Sequence, residues 1–325
     1  MGVKIIGCTT NVVNSIYPVL DAVLISADIA EFLELISKVN SSTVDYYERL
    51  DDCYITRVAH YRYNDYNHEI IILHMISCGA GNSEDTRYFK LERFRADAAT
   101  RRRWNLFASV ETSASSCSNF NPLDMVAVSD VLHRDEHGHG LVPAHYKLVR
   151  ELELPRSTLT VLEALVVAKT LTDICKSYTI FVYTCQFWAI NLFLLIKAIA
   201  SSRAHPELLV LTNGLALQTA GTFHKLRLVD IETGRATAEL LQASDKSLRA
   251  LCKAKGAIFD FETIKCGRDQ VSTLRLGGDL TTHQPTHAAA DYTPVDDIST
   301  NKVYQTAQVE LSDLKEKIRA ACSPA

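Results

Sequence analysis

Tyr178-Thr179-Ile180-Phe181-Val182-Tyr183-Thr184, then Cys185, then Gln186 through Ile199, is the stretch on which the fold turns. Its first seven residues are β-branched or aromatic and favour a strand. The residues after Cys185 read as an apolar helix. A cysteine at such a junction meets the unpaired N–H groups of the first helical turn and the positive end of the helix dipole. Both favour thiolate, the nucleophilic form. The same N–H groups can later hold an oxyanion. Against this stands the ordinary role of cysteine as a small buried hydrophobe, which covers most of the nine cysteines in the chain.

Thr179–Ile196 carries no charge and is about long enough to span a bilayer. Gln186 and Asn191 lie inside it, and its strand-like first half does not suit a membrane helix. A buried strand followed by a buried helix is the better reading, so no integral membrane span is expected.

Outward from this stretch, the chain of 325 residues is 47% hydrophobic and 22% charged, a globular composition. Its net charge of -4 makes no electrostatic case for a nucleic-acid partner. The run Arg101–Arg102–Arg103 beside Trp104 reads as a solvated face or turn. The cysteines are odd in number and show no C-x-x-C spacing, so zinc-ribbon and thioredoxin motifs are absent. With no secretory pattern at Met1–Thr10, a reducing, cytoplasmic setting is expected.

Asn11–Asn40 reads as one or two helices. Cys53–Tyr63 is a candidate strand and Asn67–Ser77 a convincing one. Arg87–Phe94 completes a hairpin across the loop Cys78–Thr86. Asp124–Ser129 and Tyr146–Leu154 are shorter strand candidates. Pro155, Arg156 and Ser157 start an amphipathic helix over Ser157–Lys176. Leu208–Leu217 is apolar, Phe223–Ile231 is a small strand–turn unit, and Ala238–Lys255 is helix-prone. Leu276–Thr300 has the composition of a disordered segment, and Val309–Ala321 that of an exposed terminal helix. The expected organisation is an N-terminal helical segment over 1–52, a central domain over 53–205, a small extension over 206–275 and a tail over 276–325.

A thiol nucleophile needs a base within hydrogen-bond reach and a third polar group to orient that base. His68 opens the strongest strand. Strand alternation puts it on one face with Ile70, Ile72 and His74. The neighbouring strand supplies Glu92.

Histidine on an early hairpin, a β region, a helix, and a late cysteine opening a second helix together resemble the circularly permuted papain-like superfamily, with its lecithin:retinol acyltransferase relatives. The family's Asn-Cys-x-x-Phe-Ala is similar to Thr184-Cys185-Gln186-Phe187-Trp188-Ala189, with Thr184 where asparagine is frequent. Tyr178 and the run from His68 through Leu91–Glu92 also fit, and Leu159–Ala189 resembles uncharacterised fungal proteins of this type. The resemblance covers roughly His60 to Ser202. It implies an α+β fold, an antiparallel sheet packed on helices. It also implies Cys185 as nucleophile, His68 as base and Glu92 as third residue, with no cofactor and no metal. The activity implied is that of a cysteine-dependent hydrolase or acyltransferase forming a thioacyl intermediate. Its substrate would be a small-molecule, lipid or peptide acyl compound.

Two other readings compete. His133, Asp135, Glu136, His137, His139 and His145 form a dense set of metal-ligand types in a polar loop, though with no known metal spacing. A non-catalytic interaction protein could also be built on the same fold.

Overall fold

The computed structural model describes residues 4–6, 24–37, 53–63, 68–78, 84–95, 122–134, 140–174, 185–204, 208–223, most of 226–249, and 298–322. The fold is mixed α+β. Among these residues, eight strands form one antiparallel sheet: β1 (Lys4–Ile6), β2 (Leu24–Asp28), β3 (Tyr54–Tyr63), β4 (His68–Cys78), β5 (Glu84–Arg95), β6 (Pro122–Ser129), β7 (Tyr146–Glu153) and β8 (Val210–Thr212). Their spatial order is β1-β2-β6-β5-β4-β3-β7-β8. The centre of the sheet is therefore the β3–β4–β5 meander, which the sequence pattern marks most strongly.

Alternation along these central strands sorts their residues to two faces. One face carries Val58, Ile71, Leu73, Met75, Phe89, Leu91, Val126 and Val128 into the main core. There it meets α1 (Ile29–Ser37), α2 (Val161–Ile174) and α3 (Cys185–Arg203). The other face carries Ala59, Tyr61, Ile70, Ile72 and Ala127 into a smaller cluster closed by Leu141 and Val142.

α3 is apolar on nearly every side, with Trp188, Ile190, Leu192, Phe193, Leu195 and Ile196 all fully buried, as a helix inside a core must be. It is long and apolar enough to cross a membrane, but 78% of its most apolar window is buried within the protein. Asn191, in the middle of the helix, shows how the core accepts polarity: it donates from Nδ2 to Phe187 O at 2.9 Å and to Gly234 O at 3.1 Å.

Sheet and helices are also tied by a buried ion pair. Arg93 donates from Nε to Asp124 Oδ1 at 2.8 Å and from Nη2 to Oδ2 at 2.9 Å. Thr172 of α2 donates to the same carboxylate, and the Trp188 indole donates to Thr172 Oγ1 at 3.2 Å.

Several elements differ from the sequence reading. Residues 24–28, inside the stretch read as helical, form β2 and pair with β6. β-branched or small residues such as Ile25 and Ala27 lose little by extending, and the open β6 edge gains backbone hydrogen bonds. The helix expected from Ser157 begins at Val161; Ser157 has φ +68, which no helix continues. Thr160 serves the new start, its Oγ1 accepting from the Glu163 N–H at 3.2 Å. The terminal helix α6 (Lys302–Cys322) is longer than expected and not wholly exposed. It buries Val303, Ala307 and Leu311, and its Glu310 pairs with Lys169 of α2 at 3.0 Å. Of the stretch Leu276–Thr300 expected to be disordered, Ile298–Thr300 form a 3₁₀ turn leading into α6; its part up to residue 297, like the expected strand Tyr178–Thr184, lies outside the described residues.

The segment after α3 returns to the sheet. β8 pairs with β7, followed by α4 (Gly214–Thr219), the two-stranded β9 (Thr222–Phe223) and β10 (Leu226–Arg227), and the short α5 (Ala238–Leu241).

Candidate active site

The site lies where β4 begins and α3 begins. Cys185 is the first residue of α3 and is buried, at 6% exposure. Its thiol donates to Gln186 Oε1 at 3.4 Å. It also shares a side-chain hydrogen bond with His68, the first residue of β4. On the other side, His68 Nε2 stands 3.2 Å from Glu92 Oε2.

The register explains why Glu92 is the partner. Ile70 is paired with Glu92 across β4 and β5. His68 is the next residue on that face of β4, so the carboxylate reaches it diagonally. All three residues named from the sequence are thus brought together, two by strand register and one by a helix start.

Electrostatics follow from this geometry. Burial alone would lower the His68 pKa. The charge and hydrogen bond of Cys185, then those of Glu92, outweigh it and raise the value to about 9. Burial would raise Glu92, but the Lys90 charge, then His68, bring it down to about 2. The carboxylate is therefore ionised at neutral pH and able to hold an imidazolium.

A second histidine–carboxylate pair was not anticipated. His60 Nε2 lies 2.8 Å from Glu69 Oε2, and Arg62 Nη1 donates to Glu69 Oε1 at 2.6 Å. The Gly221 N–H donates to that same oxygen at 2.8 Å. Arg62 Nη2 also donates to Thr222 O at 2.9 Å. All three side chains are buried on the helix-facing side. Burial lowers the His60 pKa despite Glu69, so its imidazole is neutral and serves as a fixed donor. Arg150 completes the region, donating to Ile231 O at 2.8 Å while its guanidinium lies 4.0 Å above the Phe193 ring. The available signal was His60 and Arg62 two apart, with Glu69 across the turn. Strand pairing puts polar residues so spaced on one face.

The competing metal reading rests mostly on residues outside the described ones. Among the described residues no group of three or more histidine, cysteine, aspartate or glutamate side chains converges. His133 is bridged to Val142, and His145 packs 4.1 Å from the Tyr63 ring. Asp135, Glu136, His137 and His139 lie outside the described residues.

Chemically, a thiol at a helix start, an imidazole beside it and a carboxylate behind that imidazole can carry out nucleophilic acyl transfer. Comparison with protein-family models, with curated proteins and with solved structures finds no match to this chain.

Proposed function

We propose that this protein is a cysteine-dependent hydrolase or acyltransferase that works through a thioacyl-enzyme, on a fold of the permuted papain-like type. The supporting observation is the chain of contacts from Cys185 to His68 to Glu92. Glu92 meets the His68 ring at Nε2, and Cys185 hydrogen-bonds to the same ring.

With the Sγ proton already held by His68, sulfur bonds to the substrate carbonyl carbon, and the carbonyl electron pair moves to oxygen. The N–H groups at the start of α3 face the growing oxyanion charge. When the carbonyl re-forms, the bond to the leaving oxygen, nitrogen or sulfur breaks, and that atom takes its proton from His68. A water molecule or an acceptor hydroxyl or amine then gives its proton to His68 and attacks the thioester. The acyl group leaves on the new nucleophile and sulfur returns to thiolate beside the protonated His68. Glu92 stabilises each imidazolium and fixes the ring. Neither metal nor cofactor enters these steps. Lipid, peptide and small-molecule acyl groups all fit this chemistry, and pocket shape selects among them.

The test is a panel of chromogenic esters and thioesters with intact-mass detection of the acyl-enzyme. A mass gain on Cys185 and a pre-steady-state burst, both lost in Cys185→Ala, are expected. Turnover undiminished in Cys185→Ala rejects the reading.

A further inference from the structure

Glu92 carries two cations on one carboxylate. Its Oε2 faces His68 Nε2 at 3.2 Å, and its Oε1 lies 2.5 Å from Lys90 Nζ. Lys90 and Glu92 are two residues apart in β5, so alternation puts both on the face that holds His68. Ile72 is paired with Lys90 and Ile70 with Glu92. The side chains of His68, Glu92 and Lys90 are 15%, 10% and 17% exposed. Charges at such depth act on one another more strongly than at an open surface.

Among the described residues, the neighbours leave this carboxylate to those two partners. From β6, Met125 stands opposite Glu92 and Ala127 opposite Lys90, neither of them charged. Asp124 of β6 and Arg93 of β5 are paired with each other in the main core. From β7, Tyr146 sets its ring edge-on to His68, centroids 6.4 Å apart. From α3 comes Cys185, on His68 rather than on Glu92.

We propose that Lys90 is a positioning residue for His68: by holding Oε1 it withholds part of the Glu92 charge from the imidazole, so that the imidazolium formed when Cys185 loses its proton can pass that proton to a leaving group. The catalytic meaning rests on the acyl-transfer reading; the division of charge does not. A carboxylate facing His68 alone would hold the ring proton more tightly and slow its transfer. The ammonium also repels the imidazolium. Both effects have the same sign.

The experiment is an NMR titration of the His68 imidazole in the full-length Cys185→Ala protein, with and without Lys90→Met. Removing the thiol leaves no turnover to interpret, so the readout is independent of activity. Lys90→Met is expected to raise the His68 midpoint by on the order of one pH unit, tenfold in proton affinity. Lys90→Arg is expected to restore it, and Lys90→Gln provides a second neutral variant should Lys90→Met fold poorly. In a Glu92→Gln background the Lys90→Met shift should shrink below half. A midpoint that stays or falls overturns the proposal. So does an undiminished shift in the Glu92→Gln background, which would place the effect on direct repulsion. Should the Cys185-containing protein acylate with no ester, the acyl-transfer reading fails while the titration still decides the role of Lys90.

Discussion

His68 and Glu69 are consecutive in β4, yet they belong to different networks on opposite faces of the sheet. His68 meets Glu92 and Cys185. Glu69 turns into the helix-facing side and meets His60, Arg62 and the Gly221 N–H. One step of strand alternation thus separates the His68–Glu92 pair beside Cys185 from the buried His60–Glu69 pair. Mutations at the two positions should be separable, one in chemistry and one in stability.

Cys185 should label faster than Cys53 with a mild alkylating agent at neutral pH, although both thiols are buried. His68→Ala should slow Cys185 labelling strongly, and it should reduce kcat/KM on a reactive ester by about 10²-fold or more. Peptide mass spectrometry of a labelling time course checks this. Equal labelling of the two cysteines would count against the dyad.

Stability should depend on pH through His68. Its folded-state value of about 9 lies above the ordinary 6.5. Its contribution is therefore complete below about pH 6.5 and is lost as pH rises through 9. Glu92, held at about 2 against an ordinary 4.5, contributes above about pH 4.5 and loses its effect as pH falls through 2. Melting curves from pH 6 to pH 9.5 should show a fall in wild type that Cys185→Ala reduces, since Cys185 is the largest of the influences that raise His68.

Glu69→Gln should cost about 3 kcal/mol or more, because it removes the buried carboxylate shared by His60, Arg62 and the Gly221 N–H. Denaturant unfolding would measure it. The His68 titration should move little in the same variant. A loss comparable to that of an exposed pair, under about 1 kcal/mol, would show that water enters the cluster.

Gly234 has φ +68, and a Cβ built there would lie 2.1 Å from Asn191 Oδ1. Gly234→Ala should destabilise by about 2 kcal/mol or more, from backbone strain and the clash together. Adding Asn191→Ala removes the clash, so the double variant should be less destabilised than the sum of the singles. Strict additivity would mean that backbone strain accounts for the whole cost.

The sheet centre and the site were legible because they depend on local rules. Ile70, Ile71, Ile72 and Leu73 mark β4 by composition, and a hairpin with β5 puts Glu92 within reach of His68. Cys185 stands out because it precedes an apolar helix. The strand at Leu24–Asp28 was not legible, since its stability comes from pairing with β6, nearly a hundred residues later in the chain. Nor was the Glu69 cluster, whose partners come from β3 and from Gly221 and Thr222. Polar residues in a strand read as solvent-facing until a distant segment arrives to bury them. The buried face of α6 was hidden for the same reason: Val303, Ala307 and Leu311 are buried only because the helix packs against the rest of the chain, α2 included.

The order in which these pieces leave the ribosome has a consequence. Cys185, His68 and Glu92 are all synthesised before Gly221 and Thr222, which close over Glu69 next to His68. Until those residues emerge, Glu69 lacks the Gly221 N–H and Arg62 the Thr222 carbonyl, so the start of β4 lacks this anchor. The nascent chain therefore carries a complete set of reactive groups without the frame that aligns them. On the acyl-transfer reading, the thiol gains this aligned setting only once synthesis has passed residue 222 of the 325.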